Sequence, residues 1–361
     1  MVARSAEACG PWAAQRSMAE SPEFRHDEGS HKPHMAEGGH RIGMTPLASR
    51  HFRIEKLARG VYAAIATPEG YGLCNSGIVD LGDDTVVFDT MLTPMAGQAL
   101  ERTARLVTGR HPAWAVNSHW HGDHIWGNSA FVGSHIVSSR TVRANIEKLS
   151  RPQFDGDRQE MRRDLPHLDD PKSPYTKADR PLLRAWFKGV LETPRSHRIV
   201  PPMVTFDDAL VLEGSRRSLH LLTYGGGHSP SDVFAYLPDD GIVFTGDLAI
   251  RGFHPSLGSG WPGSWMSILK RMEKLDADWV VPGHGPPGPG SILSRTRRYL
   301  HEVDRLARTA VRHRTPLGQL SDIPIPPQFR RWRFSFMFPG NVSRAYQLAR
   351  VEARAGHPAR R

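Results

Sequence analysis

Four β-type runs in this chain end in the same way, on a turn that presents a histidine or an aspartate, most with glycines beside it. AWAVNS (113–118) leads into HWHGDH, SLHLLTY (218–224) into GGGHSPSD, GIVF (241–244) into TGDL, and DWVV (278–281) into PGHG. The residues so presented are His119, His121, Asp123, His124, His228, Asp247 and His284. Strands of one sheet would deliver all of them to a single edge, where loops are free to carry function. Glycine at such turns lets the backbone bend sharply and approach a crowded centre.

The spacing inside HWHGDH suggests how the side chains divide. In an extended segment alternate side chains point the same way, so His119 and His121 can close on one ion. Asp123 continues the alternation, but His124 follows at once and must project elsewhere. One short loop can therefore serve two neighbouring ions, given further partners from His228, Asp247 and His284. Imidazole and carboxylate donors suit zinc at about 2.0–2.2 Å, and iron or manganese also accept them.

The remaining sequence frames this centre. Residues 1–50 are polar, glycine-rich and without apolar period, and read as a disordered leader holding His26, His31, His34, His40 and Cys9. Short β-type runs begin at HFRIEKLARGVYAAIA (51–66), and a helix is expected over 93–109. Residues 139–200 read as a helical insertion, with helices near 157–164 and 179–192. Further helices are expected over 261–275, over an Arg-rich 291–313, and at the C-terminal end.

Mixed strands and helices of this kind make a layered α/β domain over 51–290, followed by a basic helical extension over 291–361. The net charge of +10 resides in that extension, which holds 15 basic and 4 acidic residues. It offers the one sequence feature favouring an anionic partner such as nucleic acid. No apolar run reaches the roughly 18–20 residues of a membrane span. Two cysteines, Cys9 and Cys74, argue against a disulfide framework and fit a reducing cytoplasm.

In order along the chain, Asp89 in VVFDT, His119-x-His121-x-Asp123-His124, His228, Asp247 and His284 resemble the motifs of the metallo-β-lactamase-fold superfamily of metallohydrolases. The resemblance spans roughly residues 51–290. It implies a four-layer αββα sandwich with the metal centre along one edge, here with a helical insertion and a helical C-terminus. By position it implies that His119, His121 and His228 bind a first zinc ion and Asp123, His124 and His284 a second, with Asp247 bridging. Asp89 would orient the ligand loop by hydrogen bonding.

The implied chemistry is hydrolysis of a small acyl compound (ester, thioester, lactone or lactam) by a hydroxide held between the ions, with Asp123 orienting it. An aspartate at position 247 makes the ligand set look like that of glyoxalase II. A nuclease or phosphodiesterase, and an iron-dependent persulfide dioxygenase, are the alternative chemistries of the same resemblance. Tyr71, Arg251 and His254 are candidates to reach substrate, whereas Trp120, Trp126, Trp261 and Trp265 read as wall and core. Gly225–Gly227 resembles a phosphate cradle but lacks the following Lys-Ser/Thr, and reads as a turn.

Overall fold

The structure is a computed structural model that describes residues 49–149 and 151–355. The expected leader, with its four histidines and Cys9, lies outside the described residues but for its last two positions. The first sheet contains β1 (Phe52–Ala58), β2 (Val61–Ala66), β3 (Ser76–Asp80), β4 (Thr85–Phe88), β5 (Trp114–Val116), β6 (His135–Ser139) and β7 (Val204–Phe206), side by side in chain order. β1 to β4 form an antiparallel meander, and β4 to β7 run parallel.

The second sheet has the order β13-β12-β11-β10-β9-β8. Its strands are β8 (Ala209–Glu213), β9 (Ser218–Thr223), β10 (Val233–Leu237), β11 (Ile242–Phe244), β12 (Trp279–Val281) and β13 (Gly288–Pro289).

Alternation along the strands sets the layers. In the second sheet Ala235, Ile242, Phe244 and Val281 face the first sheet, while Phe234, Val243 and Val280 face outward. In the first sheet Val79, Val86, Phe88 and Val116 face the second, and Ile78, Val87, Ala115 and Ile136 face outward. Both faces of each sheet are thus covered, which explains the nearly continuous apolar runs. The sheets come close at Gly77, where an added Cβ would lie 2.6 Å from the Phe244 ring.

Helix α1 (Pro94–Thr108) covers the first sheet with Ala96, Ala99, Leu100 and Ala104. Its boundaries follow from local chemistry. Thr93 Oγ1 accepts from Ala96 N at 3.1 Å, and Gly109 ends the helix in the left-handed region at φ 79°. After a single turn, α2 (Gly122–Ile125), the insertion supplies α3 (Arg140–Glu147), α4 (Arg151–Asp164) and α5 (Arg180–Glu192). The buried Arg158 of α4 donates to the Val190, Leu191 and Thr193 carbonyls, capping α5 with charge-assisted bonds.

The second sheet is covered by α6 (Pro262–Met272), α7 (Ser291–Arg312) and α8 (Phe338–Ala355). The expected Arg-rich helix is α7. It buries Ile292, Thr296, Tyr299, Leu300, Val303 and Ala307 on one face. Several of its arginines are held in ion pairs on the other, including Arg297 with Glu273 at 2.8 Å and Arg308 with Asp304 at 2.7 Å. Among the described residues no helix is long and apolar enough to cross a membrane.

Three features differ from the sequence reading. The ligand-bearing turns come from both sheets rather than one: β5 belongs to the first, and β9, β11 and β12 to the second. Local patterning marks a strand but not the sheet it joins. Strand β6 and helix α3 were not expected from the sequence, because a five-residue strand and an eight-residue helix leave little period to read.

Replacing Phe244, which fills the gap opposite Gly77, should show how much the stability depends on this inter-sheet contact. Phe244→Ala is expected to cost about 3–5 kcal/mol in chemical denaturation. Leu106→Ala, at a position 73% exposed, should stay within about 0.5 kcal/mol of the parent.

Candidate metal centre

All seven candidate ligands meet at the edge where the two sheets face each other, in two adjoining groups. One consists of His119, His121, His228 and Asp247, the other of Asp123, His124 and His284. His119 and His121 follow β5 in extended conformation. At Gly122 the chain turns into α2, with His121 as its N-cap, so Asp123 and His124 sit on a helical turn. This corrects the expectation that Asp123 merely continues the alternation. The helical turn separates the two pairs of side chains.

The rings of His119, His121 and His228 lie 4.6–4.8 Å apart between centroids and cross at 81°, 89° and 90°. Each of these histidines turns one nitrogen inward. His119 Nδ1 is held by Ser118 Oγ at 2.9 Å, leaving Nε2 buried without a partner. His121 Nε2 is held by Ser259 Oγ at 3.1 Å, leaving Nδ1 only 2.9 Å from His228 Nε2. Burial keeps all three neutral, driving His119 well below the usual histidine range and His228 to about 3. Neutral imidazoles crowding their nitrogens together are donors awaiting a shared cation.

In the second group, distances define the shape. His124 Nε2 lies 3.4 Å from both Asp123 Oδ2 and Asp247 Oδ1, and His284 Nε2 lies 3.3 and 3.4 Å from the same two oxygens. These are four of the six edges of the tetrahedron drawn by the four atoms. Donors about 2.0–2.1 Å from a tetrahedral centre stand about 3.3–3.4 Å apart, so the cage has the size of a zinc-like ion. Asp247 Oδ2 meanwhile lies 3.4 Å from His228 Nε2, so its two oxygens face different groups.

The electrostatics agree with the shape. Although burial opposes it, Asp247 and Asp123 push His284 up to about 10. Cys74 and then the carboxylates of Asp123, Asp89 and Asp247 likewise raise His124 against burial, so the group favours positive charge at its centre. Cys74, pushed by burial to about 12, stays a neutral thiol whose Sγ–H turns to the Asp123 carbonyl at 2.8 Å.

The surroundings fix these donors in place. Asp89 is fully buried at φ 59°. Its Oδ1 accepts from Ser118 N at 2.7 Å, and its Oδ2 accepts from Ser118 Oγ at 2.8 Å and His124 Nδ1 at 2.7 Å. His284 Nδ1 donates to the Leu73 carbonyl at 3.1 Å, and Asn75 Nδ2 ties the same loop to β3 through the Pro282 and Gly285 carbonyls. Around His228 the amides of Gly227, His228 and Ser229 converge on the buried carboxylate of Asp232 at 2.8–3.1 Å. The apparent phosphate cradle is thus filled by an internal carboxyl group, which burial pushes up to about 7. A Cβ at Gly283 would lie 2.0 Å from Asp247 Oδ1, so only glycine fits there.

Ser118, Ser259, Asn75 and Asp232 escaped the sequence reading. Only Asp232, closing a Gly-rich turn four residues after His228, left a local trace.

The other candidates lie elsewhere. His254 uses both ring nitrogens, on Tyr299 OH at 3.0 Å and the Phe329 carbonyl at 3.2 Å. Arg251 braces the Pro286–Pro287 carbonyls beside His284. Tyr71 packs on His51 beneath Arg50. Trp126 and Trp265 are buried, Trp261 is 38% exposed, and Trp120 stands half-buried with its ring 4.9 Å from that of His121.

A family model described as the metallo-beta-lactamase superfamily matches residues 70–284, a span holding all eight of these residues. A linear primary-alkylsulfatase of Pseudomonas sp. is 24% identical over 232 residues, covering 59% of this chain and 42% of that protein. A type 2 metallo-beta-lactamase of Bacteroides fragilis is 26% identical over 102 residues, covering 27% of this chain and 41% of that one. The chain spans about two fifths of the length of these curated relatives. A solved metallo-beta-lactamase from Pontibacter korlensis superposes with a TM-score of 0.50 at 21% identity, over 69% of this chain and 99% of that one, and so shares the fold.

Two measurements probe this arrangement. Asp89→Asn puts an NH2 where donors from Ser118 and His124 need an acceptor, and should weaken metal binding about 10–100-fold by competition with a chromophoric chelator. His254, held neutral with a pKa of about 4 against 6.5 when unfolded, favours the unfolded state as pH falls from 6.5 to 4. His254→Gln should flatten that part of the stability profile, by up to about 3 kcal/mol, in denaturant titrations across this range.

Proposed function

The chain belongs to the metallo-beta-lactamase superfamily, and on that premise we propose that it is a dinuclear metal-dependent hydrolase. His119, His121 and His228 would hold one ion, Asp123, His124 and His284 the other, and Asp247 both. Zinc is the metal favoured by donor atoms 3.3–3.4 Å apart and by a set made mostly of imidazoles, a set that iron and manganese also accept. The observation that carries the reading is the division of Asp247, with one oxygen toward His228 and the other toward His124 and His284.

When bound, such a pair supplies Lewis acidity and brings the ionisation of water near neutral pH. The chain's own residues do the rest. Asp123, with its side chain 17% exposed and kept ionised by His124 and His284 against the effect of burial, would orient an attacking water by accepting its hydrogen bond. Asp89 and Ser118 would keep the inward nitrogens of His119 and His124 unprotonated. No nucleophile elbow of the G-x-S-x-G type occurs in the sequence, so a water nucleophile is favoured over a covalent one.

For the substrate we favour a small acyl compound, an ester, thioester, lactone or lactam. A sulfate ester is a second reading, motivated by the matched alkylsulfatase. Elemental analysis after zinc loading should give about two ions per chain, and His119→Ala should bind less and lose turnover. Chelation should abolish activity and zinc restore it. Hydrolysis confined to phosphodiesters across a panel of esters, thioesters, lactones, lactams, alkyl sulfates and phosphodiesters would overturn the substrate assignment; one iron per chain in protein purified without added metal would overturn the hydrolytic one.

A further inference from the structure

The metal centre opens on one side only. His119, His124 and His228 are buried to 1% exposure or less, whereas His121, Asp123 and His284 keep partial access to solvent. On that side Ser259 holds His121, and aromatic side chains stand beside the His121 and His284 rings. Trp120 stands against His121, and the ring of Phe253 lies 6.2 Å from that of His284. From Phe253 the rings continue away from the metals to Phe334 at 5.4 Å, Phe336 at 5.4 Å and Tyr175 at 5.0 Å, with Trp186 beside Phe334 at 6.5 Å. All but Phe334 are half-buried, leaving apolar surface turned outward.

Three distant parts of the chain build this row: the loop after Asp247, the helical insertion, and the segment 333–337, which lies beyond the family-matched residues. Their junction is held tightly. Arg333 N donates to the Gly252 carbonyl and His254 N to the Arg333 carbonyl, each at 2.9 Å, so Arg333 forms a single β-bridge with Phe253 before the chain turns at Phe334. Asp179, fully buried, accepts from Phe334 N at 3.1 Å and Thr176 Oγ1 at 2.7 Å, with Arg333 Nε at 3.4 Å. Phe334 is thereby kept at φ 59°, a backbone conformation that a phenylalanine adopts only when its surroundings enforce it. The buried Phe334 ring then packs 5.4 Å from both Phe253 and Phe336, backing the two half-buried rings.

We propose that Phe253 and Phe336, backed by the buried Phe334, form the apolar wall of the substrate site, and that the enzyme selects substrates carrying an elongated alkyl group next to the scissile bond. The inference rests on the hydrolase reading above and deepens it. The rings succeed one another from His284 at 5.0–6.2 Å between centroids, and Trp120 beside His121 packs on the same apolar cluster, so an alkyl chain held there would bury methylenes against a shared apolar surface. Each buried methylene is worth about fourfold in affinity.

The test uses alkyl hydroxamates, which grip a metal pair without being turned over, titrated into the zinc-loaded full-length chain by calorimetry. Affinity should rise about fourfold per methylene from the acetyl to the octanoyl compound, and metal removal should abolish binding. In Phe336→Ala, and separately in Trp186→Ala should the first fold poorly, the octanoyl-to-acetyl affinity ratio should fall at least about tenfold. Metal-dependent binding that ignores chain length, or a ratio unchanged in both variants, overturns the wall and leaves the hydrolase reading standing. Failure of every hydroxamate to bind the zinc-loaded protein overturns both.

Discussion

Everything at the metal edge depends on one buried carboxylate. Asp89 sits at the end of β4, yet its oxygens are consumed by the neighbouring loop, by the Ser118 amide and hydroxyl and by His124 Nδ1. Charged and fully buried, it would be costly without those donors, and with them it fixes a ring orientation and a hydroxyl at once. Ser118 then passes the constraint to His119, so a single anion aligns one histidine of each group. The left-handed backbone at Asp89 is part of the same arrangement, since it swings the carboxylate from its own strand toward the next.

The sheets make the centre possible by supplying donors from opposite sides. β5 brings the HWHGDH segment from the first sheet, and β9, β11 and β12 bring His228, Asp247 and His284 from the second. Asn75 and the close approach of Gly77 to Phe244 lock the two sheets together near that edge. A centre assembled across an interface of this kind tolerates no slippage, and the inter-sheet core supplies the necessary rigidity.

What could be read from the sequence divides along a physical line. His119 to His124, Asp247 and His284 announced themselves because their chemistry is rare in such spacing and each follows a recognisable strand. The layered fold followed from the apolar runs of β10 to β12 and the capped period of α1. Ser118, Asn75, Asp232 and Ser259 are ordinary loop residues until tertiary contact brings a histidine or carbonyl within 3 Å or so, and nothing local could single them out. The membership of strands in two sheets, and the row of rings from Phe253 to Tyr175, are long-range facts of the same kind. Arg251 and His254, close to Asp247 in sequence, part in space: Arg251 braces the turn after His284, whereas His254 points into the packing of the C-terminal region.

That packing bears on how the protein comes into being. Phe338, Val342, Ala345 and Tyr346 of α8 share one apolar cluster with Phe234, Val243 and Trp265, and Asn341 bonds Tyr299 OH, the Pro255 carbonyl and Leu257 N. α8 is the last of the described helices to join a cluster that begins at Phe234, and until it docks the apolar faces of α7 and of the second sheet are incompletely covered.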